Sequence, residues 1–455
     1  MKRVLSRIIA AICLSGALVA CAPQSDSASE AGTVRVLAPM SNSKAGYSLD
    51  ILELKGIEDL QTVSGHFARF FLSPRIVDNH LQGTAPKGRF IRNGGGDYIP
   101  ANEITQQLVT VYAHMQRLAQ LDEDLGAGGV NKWPRDIGVA VKVKGGVYNN
   151  AFYDGKTDSM LFVPYDQQGL PIAINGGILA HEHFHSLFYK LVLKESPYKG
   201  NAHDRPEFLN SVGITEEKAR ERKVLPIMTR IEGEPMDAST QYFYYHAALS
   251  RGLNEGLADF WGWMYTGDPD FIAQSLPNER SARSLKAADE NSVNALPSLN
   301  IVQRALNIYY SSGDEKAMKQ YVVGLAYSMA TSYSRVMKRF TDIYARERSI
   351  DSLQARKDVA KILVKTLPKI AEGFQKLEGR YYTSVDFMVS FIEQLGAMHE
   401  AECSFVKDVL NNTNSDLTVK FACKKDEQER WSVEKTAVKA PAESESETAS
   451  SESVK

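Results

Sequence analysis

Only four cysteines occur in 455 residues, and none stands in a C-x-x-C spacing, which excludes a cysteine-held metal site. The chain also lacks a charge excess. Its 53 Lys and Arg against 55 Asp and Glu leave a net charge of −2 at pH 7. That balance gives no reason to expect a nucleic-acid partner or an electrostatic hold on a membrane. Beyond the first twenty residues no hydrophobic run is long enough to cross a bilayer. No internal repeat is visible. A hydrophobic content of 43% is ordinary for a globular protein, and the residues that follow position 20 are ample for a two-lobed enzyme.

The N-terminus has the grammar of an export signal. Lys2, Arg3 and Arg7 form a positive region, and Ile8 to Ala20 form an apolar stretch too short for a comfortable membrane span. The stretch ends Leu18-Val19-Ala20-Cys21, which resembles a bacterial lipobox. That resemblance implies that Cys21 is acylated and becomes the first mature residue. An ordinary signal peptide with an incidental cysteine is the alternative. Gln24 to Gly32 is polar and rich in Ser and Ala, as a tether between lipid and domain should be. Ala22, in place of an aspartate, favours the outer membrane. The expected location is therefore the bacterial cell envelope, lipid-anchored, on the periplasmic face of the outer membrane. Of the other cysteines, Cys13 leaves with the signal. Cys403 and Cys423 can bridge in an oxidising compartment, worth about 3 kcal/mol in the chain-entropy model, or remain two buried thiols.

The chemistry sits in His181-Glu182-His183-Phe184-His185, an H-E-x-x-H pattern. Positions i and i+4 of a helix lie one above the other, so His181 and His185 can reach one metal ion. Glu182 lies beside them, placed to take a proton from an attacking water. Further on comes Asn254-Glu255-Gly256-Leu257-Ala258-Asp259. A second helix carrying Glu255 would supply a third ligand and leave one coordination position open, the mark of a catalytic zinc. Asp259, four residues later on the same face, can accept the free ring N–H of a ligand histidine. Apolar faces support both helices: Ile178, Leu179, Phe184, Leu187 and Phe188 on the first, and Leu253, Leu257, Phe260 and Trp261 on the second. The alternative is two buried histidines on an amphipathic helix and an unrelated acidic helix. His183 points away from its neighbours and reads as polar filler.

Tyr148-Asn149-Asn150-Ala151-Phe152-Tyr153-Asp154-Gly155, then Met160-Leu161-Phe162-Val163, then the histidine helix, resembles the thermolysin family of zinc metallopeptidases. The resemblance covers roughly residues 98–330. It implies that this stretch is the edge strand of a sheet, with Asn150 and Ala151 holding an extended peptide as an added strand. Asn149-Asn150 as a hairpin turn is the alternative. Asn254, Glu255 and Asp259 match the family's N-E-x-x-x-D helix. Ala282-Arg283-Ser284-Leu285 resembles its substrate-arginine run, making Arg283 the candidate for gripping a substrate carbonyl. Gly324-Leu325-Ala326-Tyr327 resembles its later G-I-x-N-x-A helix start.

Three departures from the family stand out. Seventy positions separate His185 from Glu255, far more than in the family, so an insertion near the cleft is expected. Where the family keeps an oxyanion-stabilising histidine, this chain has Gln320-Tyr321-Val322-Val323, with Tyr321 as candidate donor. The family's tyrosine ahead of the glutamate falls on His246, with Tyr245 beside it. Acidic clusters of the family's calcium-binding kind are not evident, and no calcium is expected.

The expected fold is α+β: a two-lobed zincin, with a mixed β-sheet N-terminal lobe carrying the H-E-x-x-H helix and a mostly helical C-terminal lobe. The expected boundaries are a signal peptide at 1–20, a tether at 21–33, the N-terminal lobe at 34–190, an insertion at 191–246, the helical lobe at 247–425 and a disordered acidic tail at 426–455. In the first part, short strands near 34–37 and 90–92, a helix over 101–121 and a strand over 137–143 are expected. Helical periodicity marks 299–311, 317–345, 353–374 and 384–400. The expected function is zinc-dependent cleavage of peptide bonds, with Zn2+ as cofactor. A catalytically weak lipoprotein that uses the same cleft for binding, and a zinc hydrolase of a non-peptide envelope component, are the competing readings.

Overall fold

The computed structural model describes residues 32–42, 46–142, 147–194, 196, 236–286, 293–310, 315–377 and 379–437. The signal peptide, Cys21, most of the tether, residues 197–235 of the expected insertion and the end of the tail lie outside them. The fold is mixed α+β. Strands dominate the N-terminal part and helices the remainder. Among the described residues no helix is long and apolar enough to cross a membrane.

Seven strands come first: β1 (Gly32–Asn42), β2 (Gly46–Asp59), β3 (Ser64–Gly65), β4 (Ala68–Val77), β5 (His80–Thr84), β6 (Phe90–Arg92) and β7 (Tyr98–Pro100). After helix α1 (Glu103–Leu125) follow β8 (Arg135–Val139), β9 (Ala151–Asp154) and β10 (Ser159–Phe162). One sheet has the order β3-β2-β1-β7-β6. The other has the order β5-β4-β8-β10-β9, which leaves β9 at an edge. β8 runs parallel to β4 and β10, and β9 closes antiparallel on β10 with Phe152 opposite Leu161. Strand therefore occupies far more of residues 32–84 than the one short piece expected near 34–37, and it begins at Gly32, inside the span assigned to the tether.

Helix α1 starts where the Asn102 side chain accepts the Thr105 amide at 2.9 Å, and it stops at Gly126, whose φ of 82° a side chain would resist. It buries Leu108, Val111, Met115 and Leu118. Helix α2 (Gly176–Phe188) carries the H-E-x-x-H pattern. Asn175 caps the helix, accepting from the amides of Gly177 and Ile178 at 3.0 and 3.3 Å. Its own amide group donates to Phe271 O at 2.7 Å and Ser275 Oγ at 2.9 Å, tying the helix start to α4 (Phe271–Ser275). A π-helical turn, Tyr189–Leu193, continues α2.

Helix α3 (Ala238–Thr266) is 29 residues long and capped by Asp237. Its start corrects the expected insertion boundary, because 238–246 already belong to the helix that carries Glu255. Two glycines let it approach its neighbours. A Cβ on Gly262 would lie 2.7 Å from Gly177 O in α2. One on Gly256 would lie 2.8 Å from Tyr333 Cβ. Tyr333 belongs to α7 (Glu315–Arg348), which follows α5 (Arg280–Arg283) and α6 (Leu299–Tyr309).

The remaining helices are α8 (Ser352–Gln375), α9 (Ser384–Leu395) and α10 (Glu400–Thr413). The expected single helix over 384–400 is interrupted by Gly396 at φ 78°. A new helix starts at His399, whose amide donates to Glu402 Oε2 at 2.9 Å. The final correction concerns the tail. Val419–Lys425 (β11) and Trp431–Ala437 (β12) form an antiparallel hairpin, so neither an all-helical lobe to 425 nor disorder from 426 holds. Trp431 and Val433 alternate with polar residues and pack inward. A Cys403–Cys423 disulfide clasps the hairpin to α10.

Candidate metal centre

One helical turn on α2 brings His181 and His185 together, with their Nε2 atoms 3.0 Å apart. Helix α3 crosses behind them and delivers Glu255, whose Oε2 lies 3.6 Å from His181 Nε2 and 3.8 Å from His185 Nε2. Three atoms so spaced share a point roughly 2 Å from each, the length of a zinc–nitrogen or zinc–oxygen bond. Glu182 completes the group. His181, Glu182 and His185 each offer an atom within 4.8 Å of the others and could together hold a metal ion. All four residues are buried.

The surroundings fit a cation. His181 Nδ1 meets Asp259 Oδ1 at 2.9 Å, and the Asn254 side chain bonds His185. The Asp259 contact on Nδ1 turns the His181 Nε2 lone pair toward the common point, which it shares with His185 Nε2. Asp259 is itself gripped by Arg283, whose Nε donates to Oδ2 at 3.1 Å while Nη2 donates to Oδ1. Phe184 packs its ring 5.1 Å from Trp261 and seals the α2–α3 seam beneath the centre. Glu182 Oε2 is among the buried side-chain atoms that make no hydrogen bond within the described residues. Such an orphan beside two imidazoles and a carboxylate is what a divalent-cation site with a water-facing carboxylate presents.

The electrostatics are mutual. Burial would lower His181, but bonds to Asp259 and Glu255 outweigh it and raise the imidazole to about 9. His185 is pushed down to about 4 by burial. Burial and then the neighbouring Glu255 charge raise Glu182 to about 7, against the opposing His181 charge and the Tyr153 backbone bond. Glu255 lies well below the usual carboxylate range, because the two histidines outweigh its burial.

Asn150 and Ala151 stand at the start of edge strand β9. Asn150 O accepts from the Val163 amide at 3.1 Å, and the Asn150 side chain accepts from the Ala151 amide at 3.0 Å. The strand runs along the metal centre, since the Tyr153 amide is the group that bonds Glu182. The hairpin turn itself lies at residues 155–158, between β9 and β10, and not at Asn149-Asn150. Asn149 adopts φ 57° and clasps Asp166 with both ends of its amide.

The three expected oxyanion donors are corrected. His246 lies nine residues before Glu255, about 13 Å along a straight helix. Its Nδ1 donates to Tyr242 O at 2.8 Å, and its Nε2 accepts from the Tyr382 amide at 3.0 Å. Tyr245 is fully buried against Tyr381. Tyr321 stacks on Tyr309 and donates to Ala305 O at 3.2 Å. Tyr245 and His246 pack with Tyr381 and Phe374 of the segment around the end of α8, and Tyr321 pairs with Tyr309 of α6. Gly324 to Tyr327 likewise lie inside α7, not at its start.

Two nearby residues, Arg251 and Tyr327, were given no role from the sequence. Arg251 sits one turn before Glu255, and Tyr327 faces it from α7 with the Arg251 guanidinium 5.6 Å from its ring centre. The i−4 spacing from Glu255 was a signal for Arg251; Tyr327 had none within its own segment. His183 is no filler. It is fully buried, with Nε2 2.8 Å from Asp122 Oδ1, and it stacks on Trp133. No protein-family model matches the chain and no curated protein matches it, so the chemistry must be argued from the centre itself.

Proposed function

We propose that the chain is a zinc-dependent endopeptidase of the bacterial cell envelope, built as a two-lobed zincin and held to the membrane through acylated Cys21. The observation that supports this best is the convergence of His181 Nε2, His185 Nε2 and Glu255 Oε2 within 3.0–3.8 Å of one another, with Glu182 beside them. Two nitrogens and one carboxylate oxygen suit zinc and leave a fourth position for substrate. Zinc held there would polarise a carbonyl and make water acidic enough to attack near neutral pH.

The protein's own groups do the rest. Edge strand β9 would hold an extended peptide alongside the centre, with Asn150 and Ala151 at its entry. Glu182 takes a proton from the attacking water on Oε2 while the Tyr153 amide holds the carboxylate in place. As the C–N bond breaks, the same proton passes to the leaving nitrogen. Asp259 and Asn254 keep the histidine rings turned toward the centre. Arg283 holds Asp259 in place.

The test is metal analysis of the protein beginning at residue 22, paired with digestion of a peptide library with and without a zinc chelator. One zinc per chain and chelator-sensitive internal cleavage are expected. Bound zinc without peptide cleavage would leave the binding protein, or the hydrolase of a non-peptide component, as the better reading.

A further inference from the structure

We propose that Tyr327, resting on the peptidase reading, supplies the hydroxyl donor that meets the scissile carbonyl oxygen as it becomes an oxyanion. Tyr245, His246 and Tyr321 are tied up elsewhere, so the centre needs such a donor from another position. Helix α7 provides it. Thr331 Oγ1 donates to Ala282 O at 2.9 Å, and Arg335 Nε donates to Ser284 O at 2.9 Å. These residues stand four apart on the helix face that runs along α5, and Tyr327 is the next member of that row. Its ring is therefore brought between two guanidinium groups, Arg251 at 5.6 Å and Arg283 at 6.0 Å.

Both arginines lead to the centre. Arg283 grips Asp259, which holds His181. Arg251 lies one turn before Glu255 on α3 and bonds the Tyr327 side chain. A guanidinium only donates, so the phenolic oxygen accepts from Arg251 and keeps its own proton to give. A phenol with an ordinary pKa of about 10 is a neutral donor at working pH. The residue is 40% exposed, so a ligand can reach it. In the reaction the proton remains on Tyr327. The hydroxyl donates a hydrogen bond that is strongest when the carbonyl oxygen carries full charge.

The test uses zinc-loaded protein from residue 22 onward, as wild type, Tyr327→Phe and Tyr321→Phe. Loss of one oxygen at a half-exposed site should leave zinc content and unfolding temperature unchanged. Tyr327→Phe is expected to lower kcat by about 10²–10³ with KM little altered, while Tyr321→Phe retains wild-type rates. A second readout does not depend on turnover. A phosphinic peptide, which carries a tetrahedral anion, should bind Tyr327→Phe about 10²-fold more weakly than wild type, with an uncleaved peptide ligand unaffected. If the wild type cleaves nothing but analogue binding still depends on Tyr327, the peptidase reading fails and the anion-donor role stands. Equal analogue affinity in wild type and Tyr327→Phe, or no binding by the wild type, overturns the proposal.

Discussion

Glu182→Gln keeps the side chain's size and an oxygen to accept the Tyr153 amide, but removes the base. Peptide cleavage should fall by at least about 10²-fold while the zinc content of the purified protein stays at the wild-type level. Retained cleavage would take Glu182 out of the role of base. Asp259→Asn tests the next layer. The amide offers His181 Nδ1 a weaker acceptor and breaks the paired bonds from Arg283, so zinc affinity should drop about 10–100-fold in a competition titration with a chelator. An unchanged affinity would reduce the Asp259–His181 bond to packing. The ligands could be foreseen from sequence because a helix fixes i and i+4 side chains on one face, and His181, His185, Glu255 and Asp259 all obey that spacing. Tyr327 could not, because its nearness to Glu255 exists only where α7 crosses α3. Tyr245 and His246 were misplaced for the converse reason. Counting back from Glu255 gave the right neighbourhood in sequence, but an unbroken helix carries them several turns away.

Helix α3 works only if it can press against α2 on one side and α7 on the other. At Gly256 an added methyl would meet Ala330 O and Tyr333 Cβ, both fixed by α7. Gly256→Ala gains about 1 kcal/mol of helix propensity but forces two long helices apart, and overpacking of this kind typically costs about 1–3 kcal/mol. A net loss of stability in urea unfolding is expected, with weaker zinc binding because Glu255 is the next residue. Unchanged stability would mean that the α3–α7 seam yields more readily than its contacts indicate. Helices α1, α6, α7 and α8 were foreseen nearly to their ends because each buries a stripe at a 3.6-residue period, while the start of α3 and the break between α9 and α10 were not. The long strands of residues 32–84 were not. On β2 Tyr47, Leu49 and Ile51 are apolar but exposed, while Leu52 and Leu54 put the apolar positions on the other face, so the alternation changes phase along the strand. In β12 the acidic composition of the surrounding segment hid the alternation of Trp431 and Val433 with Ser432 and Glu434.

Two staples hold distant parts of the chain, and they should act independently. The metal would join α2 to α3, which flank the long stretch between residues 196 and 236. The Cys403–Cys423 bridge joins the terminal hairpin to α10. Zinc at about 1,000 times its dissociation constant stabilises the folded state by about 4 kcal/mol, and a chelator should remove that amount. The disulfide contributes about 3 kcal/mol in the chain-entropy model, and its loss in Cys403→Ser/Cys423→Ser should be felt in the hairpin and α10. The hairpin packs on α10, and the residues gathered at the metal centre come from α2, α3, α5 and β9. The double serine variant should therefore keep wild-type zinc affinity and peptide cleavage while unfolding at a lower temperature. Chelation and loss of the bridge together should cost close to the sum of their separate effects, within about 0.5 kcal/mol, because distant sites add. A large excess over that sum would show that the C-terminal hairpin supports the metal centre through α10 and α7, and would place the bridge among the determinants of activity.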